Sequence, residues 1–404
     1  SVTAIAFADD DFQHGLDLVL GGAHRGAAEI GDVLATAGRI PDGDADAWVR
    51  EWTATAGAAW AAGGEAADAG RRVSARGHYL RAAAYYATAL HVVARSAEPE
   101  RHLDLWRRQR TCWDRAVDLF DVPPERLAIA YEDTTLPGYF FGAPGAADGA
   151  PRPTIIINNS SDGATSQTWT LGGAAAAERG YHWMTFDGPG QQAALFEQGL
   201  TFRPDWEAVL TPVLDALLAR PDVDPDRVAV LGIGQAGFWV PRALAFEHRF
   251  AAAVVDPGVV DVAAGWTAAL PDAMLAQLRR GDHTGFDRDM HLAELFSPTT
   301  AALLHFRGAP YRGSNGASRA ELFTTIERYR LGDEVARITT PLLITDPDGE
   351  QFWPGQSRQL FDRLPGPKQL VRFRADEGAA GHYEPLAPAL RDARIFDWLD
   401  GHLA

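Results

Sequence analysis

The sequence predicts an α/β fold, a doubly wound and mostly parallel sheet that follows a helical domain, and three observations carry the expectation. Residues 1–121 hold Ala-rich, aromatic-punctuated stretches with helical periodicity and no alternating strand pattern. From Pro153 onward, short continuous apolar runs alternate with helical ones, which is what a parallel sheet covered on both faces requires. After Asp256-Pro257-Gly258 the alternation stops for about eighty residues and resumes at Pro341, so a cap is expected between two core strands.

In chain order, helical periodicity is clearest over 46–62 and 71–94. Pro123-Pro124 breaks it, and 127–131 with 136–141 reads as a strand pair across a turn. Strands are expected at 154–158, 181–186, 227–231, 251–255, 341–345 and 369–373. Helices are expected at 172–180, 206–219, 238–247 and 388–403, with 268–279 and 320–329 in the cap. The division that follows is a helical N-terminal lid domain over 1–121 and an α/β core over 122–404, with the cap insertion at about 259–338.

Composition narrows the partner. The 404 residues are 46% hydrophobic and 23% charged, an ordinary balance for a soluble protein with a sizeable core. A formal charge of −17 argues against a nucleic-acid backbone or an anionic membrane surface, since both reward clustered Lys and Arg. A small organic substrate is the expected partner, with the chain acting alone or as a homodimer. Neither a leader pattern nor a long uninterrupted apolar stretch appears, so cytoplasm is the expectation. The single cysteine, Cys112, excludes an internal disulfide and a multi-cysteine zinc site, and in its helical context reads as a packing residue. His78, His102, His291 and His305 lack metal-ligand spacing, and His248 reads as a helix-end residue. Neither a metal nor a cofactor is expected.

The chemistry centres on Gly232-Ile233-Gly234-Gln235-Ala236-Gly237, a turn between a strand ending at Leu231 and a helix beginning at Phe238. In hydrolases such a turn is G-x-S-x-G, where small flanking residues let a strained backbone present the nucleophile at a helix N-terminus. Here Gly234 holds the nucleophile position and Ala236 replaces the second glycine. The literal G-x-G-x-x-G, with Asp256 nineteen residues after Gly237, also resembles a dinucleotide fingerprint. That fingerprint belongs at the first strand of a nucleotide-binding unit, whereas this turn follows two strand-helix units. An acid and a histidine come later: Asp346, Asp348 and Glu350 after one strand, and His382 in the loop before the last helix. Nucleophile, acid, histidine is the hydrolase order, and Glu350, four residues before Pro354, is the preferred acid with Asp348 the alternative. Oxyanion donors are expected at the backbone N–H of Gln235 and in the loop at Ser160, which reads equally as a capped polar turn. Asp187 reads as structural.

Asn158-Asn159 through Asp162-Gly163, Phe186-Asp187-Gly188-Pro189-Gly190-Gln191, Trp239 through Leu244, Glu350 through Gln356 and Gly381-His382 together resemble α/β-hydrolases with a helical N-terminal domain. That group includes 2,6-dihydroxypseudooxynicotine hydrolase and the fungal polyketide-shortening hydrolases of pigment pathways. The resemblance implies the α/β-hydrolase fold and a triad at Gly234, Glu350 and His382. It also implies activity on ketones or esters, including cleavage of a carbon–carbon bond beside a ketone, in natural-product biosynthesis.

Glycine cannot be acylated, so three readings stand. In one, His382, oriented by Glu350, is a general base acting on water or a carbon acid, making a lyase, cyclase, isomerase or direct-water hydrolase. In another, the chain is a serine hydrolase inactivated by a Ser-to-Gly change at 234. In the third, it is a ligand-binding pseudoenzyme. An aromatic pocket is expected, with Trp266, Tyr311, Trp353 and Tyr79 as substrate contacts, and Arg307 and Arg312 as surface charges or carboxylate partners.

Overall fold

Apolar, β-branched runs build the centre of the molecule. The structure, a computed structural model, describes residues 7–146, 148–312 and 318–404. β1 (Glu125–Tyr131) and β2 (Thr134–Phe141) form an antiparallel hairpin. β3 (Arg152–Asn158), β4 (His182–Phe186), β5 (Val223–Ile233), β6 (Ala252–Asp256), β7 (Leu342–Pro347) and β8 (Lys368–Phe373) complete an eight-stranded sheet ordered β1-β2-β4-β3-β5-β6-β7-β8. β2 joins β4 antiparallel, and every pairing from β4 to β8 is parallel. This is the α/β-hydrolase architecture. β4 and β6 are buried throughout, as strands with helices on both faces must be.

Successive side chains point to opposite faces, so the run Ile155-Ile156-Ile157 splits between two cores. Ile156 joins Val230, Val255, Trp206 and Trp239 on one face, where the two indoles stack at 4.2 Å. Ile155 and Ile157 join Trp183 and Leu231 on the other, in one core with the N-terminal helices. Those helices are α1 (Asp10–Gly21), α2 (Ile30–Gly38), α3 (Ala45–Asp68), α4 (Arg72–Leu90) and α5 (His102–Asp118). Trp113 of α5 lies against Tyr139 and Phe141, and Phe141 stacks on Trp183 at 4.0 Å. The change at residue 121 is thus one of secondary structure, with apolar packing continuous across it. Cys112 lies inside this core, and burial pushes its thiol up to about 12, consistent with packing.

β5 begins at Val223, earlier than the expected 227, because Val223 pairs with Arg152 across an irregularity in the register. Asp224-Pro225-Asp226 is the more exposed lead-in of this strand. Between β6 and β7 lie the cap helices, among them Asp272–Arg279, His283–Phe296 and Arg319–Ile326. They bury Phe286, Leu322 and Phe323 into the core that holds Trp206 and Trp239.

Candidate active site

β5 ends at Ile233 and the helix Ala236–Leu244 begins three residues later, so Gly234 stands on a one-turn elbow with φ +61. That left-handed conformation costs glycine nothing and strains other residues. Its N–H donates to the carbonyl of Asp256 at 2.8 Å, tying the elbow to the end of β6. A Cβ on Gly232 would press on the Ala236 carbonyl at 2.7 Å, and one on Gly237 would collide with the Pro257 carbonyl. The two flanking glycines are therefore packing requirements of the turn.

The loop after β8 brings the base. His382 and Glu350 are buried, their side chains 3% and 6% exposed, and His382 Nδ1 is hydrogen-bonded to Glu350 Oε1. Glu350 Oε2 accepts the N–H groups of Phe352 and Trp353 at 2.7 and 2.9 Å, so the carboxylate is fixed from both sides. Asp348 is engaged elsewhere: it accepts from Arg372 at 2.6 Å and from the Ala375 N–H at 2.9 Å. Those hydrogen bonds and the Arg372 charge hold its carboxyl below the usual range. Asp346, also half-buried, forms no hydrogen bond with His382 among the described residues. Asp256, the residue that fitted a nucleotide fingerprint, is fully buried and accepts from Thr345 at 2.6 Å and Arg391 at 2.7 Å, leaving it unsuited to a ribose.

The space above Gly234 belongs to Tyr383. A Cβ at Gly234 would collide with the Tyr383 hydroxyl and come within 3.0 Å of Ser160 Cβ. The Tyr383 ring lies on His382 at 3.8 Å between centroids. Burial raises the phenol above its ordinary range. Tyr383 and Glu384 both adopt positive φ, +72 and +50.

Ser160 is at the site in a different capacity from the one its sequence position suggests. Its backbone N–H, expected to face an oxyanion, donates to Asn159 Oδ1 at 2.8 Å. Its Oγ accepts from the Gly163 N–H at 3.0 Å, and Gln191 Nε2 donates to the Asn159 and Ser160 carbonyls at 2.9 and 2.8 Å. The polar-turn reading of this loop is the one these bonds describe. Asp187 is likewise structural, accepting from Arg110, Thr165 and the Ala193 N–H.

Gln235 opens the Ala236–Leu244 helix, where backbone N–H groups lack intrahelical partners. Its side chain is held from the cap, Tyr311 Oη donating to Oε1 at 2.8 Å, while Nε2 is buried without a partner among the described residues. Trp266 meets Tyr311 edge-on at 5.9 Å, and Trp353 lies 5.8 Å from the His382 ring. Tyr79 is not brought to the site. It packs on Trp60 and faces Gly63 between α3 and α4, because the buried face of α4 at that level looks into the helical layer. Arg307 lies over Phe352 at 5.5 Å and 3.9 Å from Asp162, close to the site, whereas Arg312 donates to the Leu304 carbonyl.

Besides Tyr383, the sequence reading missed two contributors. Phe352 packs on His382 at 4.7 Å. His14 of α1 lies 5.9 Å from His382 and 5.8 Å from His91, and burial drives it down to about 2, so it is neutral at working pH. Gly21 ends α1 so close to Pro385 that a Cβ would strike the Pro385 carbonyl. A cavity of about 60 Å³ lies between α1, α4 and residues 166–170, with His91 in its wall.

Comparison with known proteins identifies the family. A model of the FrsA-like esterases matches residues 41–264, more than half of the sequence. The chain belongs to the FrsA-like esterase family. Within the wider α/β-hydrolase group, this FrsA-like chain is 38% identical over 256 residues to the hydrolase acrC of Aspergillus aculeatus, a match spanning 59% of this chain and 60% of that protein. It is 30% identical over 400 residues to the hydrolase LUC6 of a Fusarium species, covering 95% and 94% of the two chains. The crystal structure of 2,6-dihydroxy-pseudo-oxynicotine hydrolase shares its fold, with a TM-score of 0.73, 18% identity and 95% of each chain covered. The chain is therefore an α/β-hydrolase-family enzyme related to hydrolases of fungal origin. Among the described residues, no helix is long and apolar enough to cross a membrane.

Proposed function

We propose that this FrsA-like chain performs non-covalent general-base chemistry on a small aromatic or polyketide-like ketone or ester, carbon–carbon bond cleavage included. One observation carries the reading: the Glu350–His382 pair is complete and buried while the nucleophile position has no side chain and its space is filled by Tyr383. A serine at 234 would require Tyr383 to move, so glycine and tyrosine fit each other. That complementarity favours a natural Gly234 over an inactivated serine enzyme.

In the hydrolytic case, the free His382 nitrogen accepts a proton as water attacks the substrate carbonyl carbon, and the carbonyl π electrons move onto oxygen. When that oxyanion collapses, the bond to the leaving carbon or oxygen breaks and the imidazolium returns its proton to the departing atom. Glu350 stabilises the transient imidazolium without becoming protonated. Trp266, Tyr311, Trp353 and Phe352 offer apolar, ring-stacking surface for the substrate.

The test is turnover of aryl esters, aryl ketones and β-diketones, with intact-mass detection of any fluorophosphonate adduct. Wild type is expected to turn over at least one class and remain unlabelled, and His382→Gln to lose about 10²–10⁴-fold in kcat. A wild-type adduct, or undiminished turnover in His382→Gln, would overturn the reading.

A further inference from the structure

We propose that Tyr383 is the second oxyanion donor of this site, its phenol O–H taking the place of the backbone N–H that the Ser160 loop does not supply. The inference rests on the general-base reading above, and it joins two departures that look unrelated in sequence. The nucleophile side chain is missing at Gly234, and the loop N–H at Ser160 is spent on Asn159 Oδ1. Tyr383 Oη occupies the region between these residues: a Cβ on Gly234 would meet both it and Ser160 Cβ.

The hydrogen-bond directions leave the phenol proton free. Ser160 Oγ accepts from the Gly163 N–H, and among the described residues the Tyr383 phenol proton meets no acceptor within hydrogen-bonding distance. The phenol O–H is therefore free to donate to a bound third group. A substrate oxygen between Tyr383 Oη and the Gln235 N–H would receive two hydrogen bonds as charge develops on it. No proton leaves Tyr383 during this step.

The phenol is held for the purpose. An aromatic residue at φ +72 is strained, and surrounding contacts must offset the strain. Here the ring lies against His382 at 3.8 Å, and His14 stands 6.2 Å from it. Burial raises the phenol above its usual range, so it stays protonated and serves as a donor, not a nucleophile.

The experiment measures binding of 4-nitrophenolate, a ring-bearing oxyanion whose absorption maximum responds to hydrogen bonding, to the purified full chain. Wild type is expected to bind it with a shifted maximum, and Tyr383→Phe to weaken binding about 10–100-fold with much of the shift lost. Ser160→Ala should weaken it less, since the phenol proton remains. Site-specific 3-fluorotyrosine at 383, a more acidic donor of nearly the same shape, should tighten binding and serves as the decisive measurement should Tyr383→Phe not fold. Equal affinity and an unchanged maximum in these variants, absence of phenolate binding by wild type, or fluorophosphonate labelling of Tyr383 would overturn the assignment. His382→Gln separates the two ideas. Phenolate bound through Tyr383 by a protein without turnover defeats the general-base reading alone, while His382-dependent turnover that is indifferent to Tyr383→Phe, together with unchanged phenolate binding, defeats this one alone.

Discussion

Two buried acid–base pairs bracket Gly234, and they differ in what their cations can do. Glu350–His382 lies on the side of the slot, and Asp256–Arg391 lies beneath the elbow, its side chains 0% and 1% exposed. Both carboxylates are fixed by further donors, Glu350 by two backbone N–H groups and Asp256 by Thr345. An imidazole can lose and regain its proton near neutral pH, whereas a guanidinium cannot. The first pair can therefore take part in proton transfer. The second holds position: the Asp256 carbonyl receives the Gly234 N–H, and Arg391 donates to the Leu171 carbonyl as well as to Asp256. Similar burial and opposite use show that a buried ion pair announces chemistry only where one partner can change its charge.

That contrast predicts the largest effect at Arg391. Replacing it by Met leaves Asp256 ionised, buried and opposed by no charge, which costs roughly 3–5 kcal/mol of folding stability. Urea unfolding should show a lowered midpoint, and the residual folded protein should keep its Glu350–His382 chemistry. A variant with wild-type stability would mean that Asp256 is held without its cation. The next effect separates two acids on one loop. Glu350→Gln should cut turnover by about 10²–10³-fold with little change in KM, because His382 loses the charge that orients it and stabilises its imidazolium. Asp348→Asn should leave kcat nearly untouched, its contacts being Arg372 and the Ala375 N–H. The reverse ranking would move the acid to Asp348.

Much of this arrangement was legible because it depends on local pattern. Continuous apolar runs such as Ile155-Ile156-Ile157, bounded by helix signals, define a parallel sheet whatever surrounds them. The order of Gly234, Glu350 and His382 follows from where loops leave the sheet. What stayed hidden depends on approach between distant segments. His14 has no motif, and it reaches His382 because Gly21 lets α1 come against the Pro385 backbone. Tyr383 follows His382 directly in sequence, yet only a left-handed backbone turns its hydroxyl over Gly234. Ser160 carries the loop pattern of an oxyanion donor, but a neighbouring side chain takes the N–H. Tyr79 shows the converse error, since helical periodicity identifies a buried face without saying which neighbour covers it.

The smallest effect sharpens the comparison through a residue that sits beside the lower pair and feels the charge of the upper one. Glu384 follows the His382-Tyr383 segment, is fully buried beside Asp256 and Arg391, and has no hydrogen-bond donor on either oxygen among the described residues. Burial first, then the Asp256 charge, raises its carboxyl well above the ordinary value despite Arg391. The folded chain thus holds a proton that the unfolded chain releases near 4.5. Stability tied to that proton is fully present below the unfolded value and falls as pH rises towards the folded one, by about 1.4 kcal/mol per pH unit. Glutamine needs no proton and keeps a donor for Asp256. Glu384→Gln should therefore match wild type at pH 4 and exceed it by about 1 kcal/mol at pH 5.5, with the gap widening on further alkalinisation. Denaturant titrations across that range check this directly. A pH-independent gap would mean that Glu384 stays ionised against Arg391, making the lower pair a charged triad and removing the contrast with Glu350–His382 on which its structural role was argued.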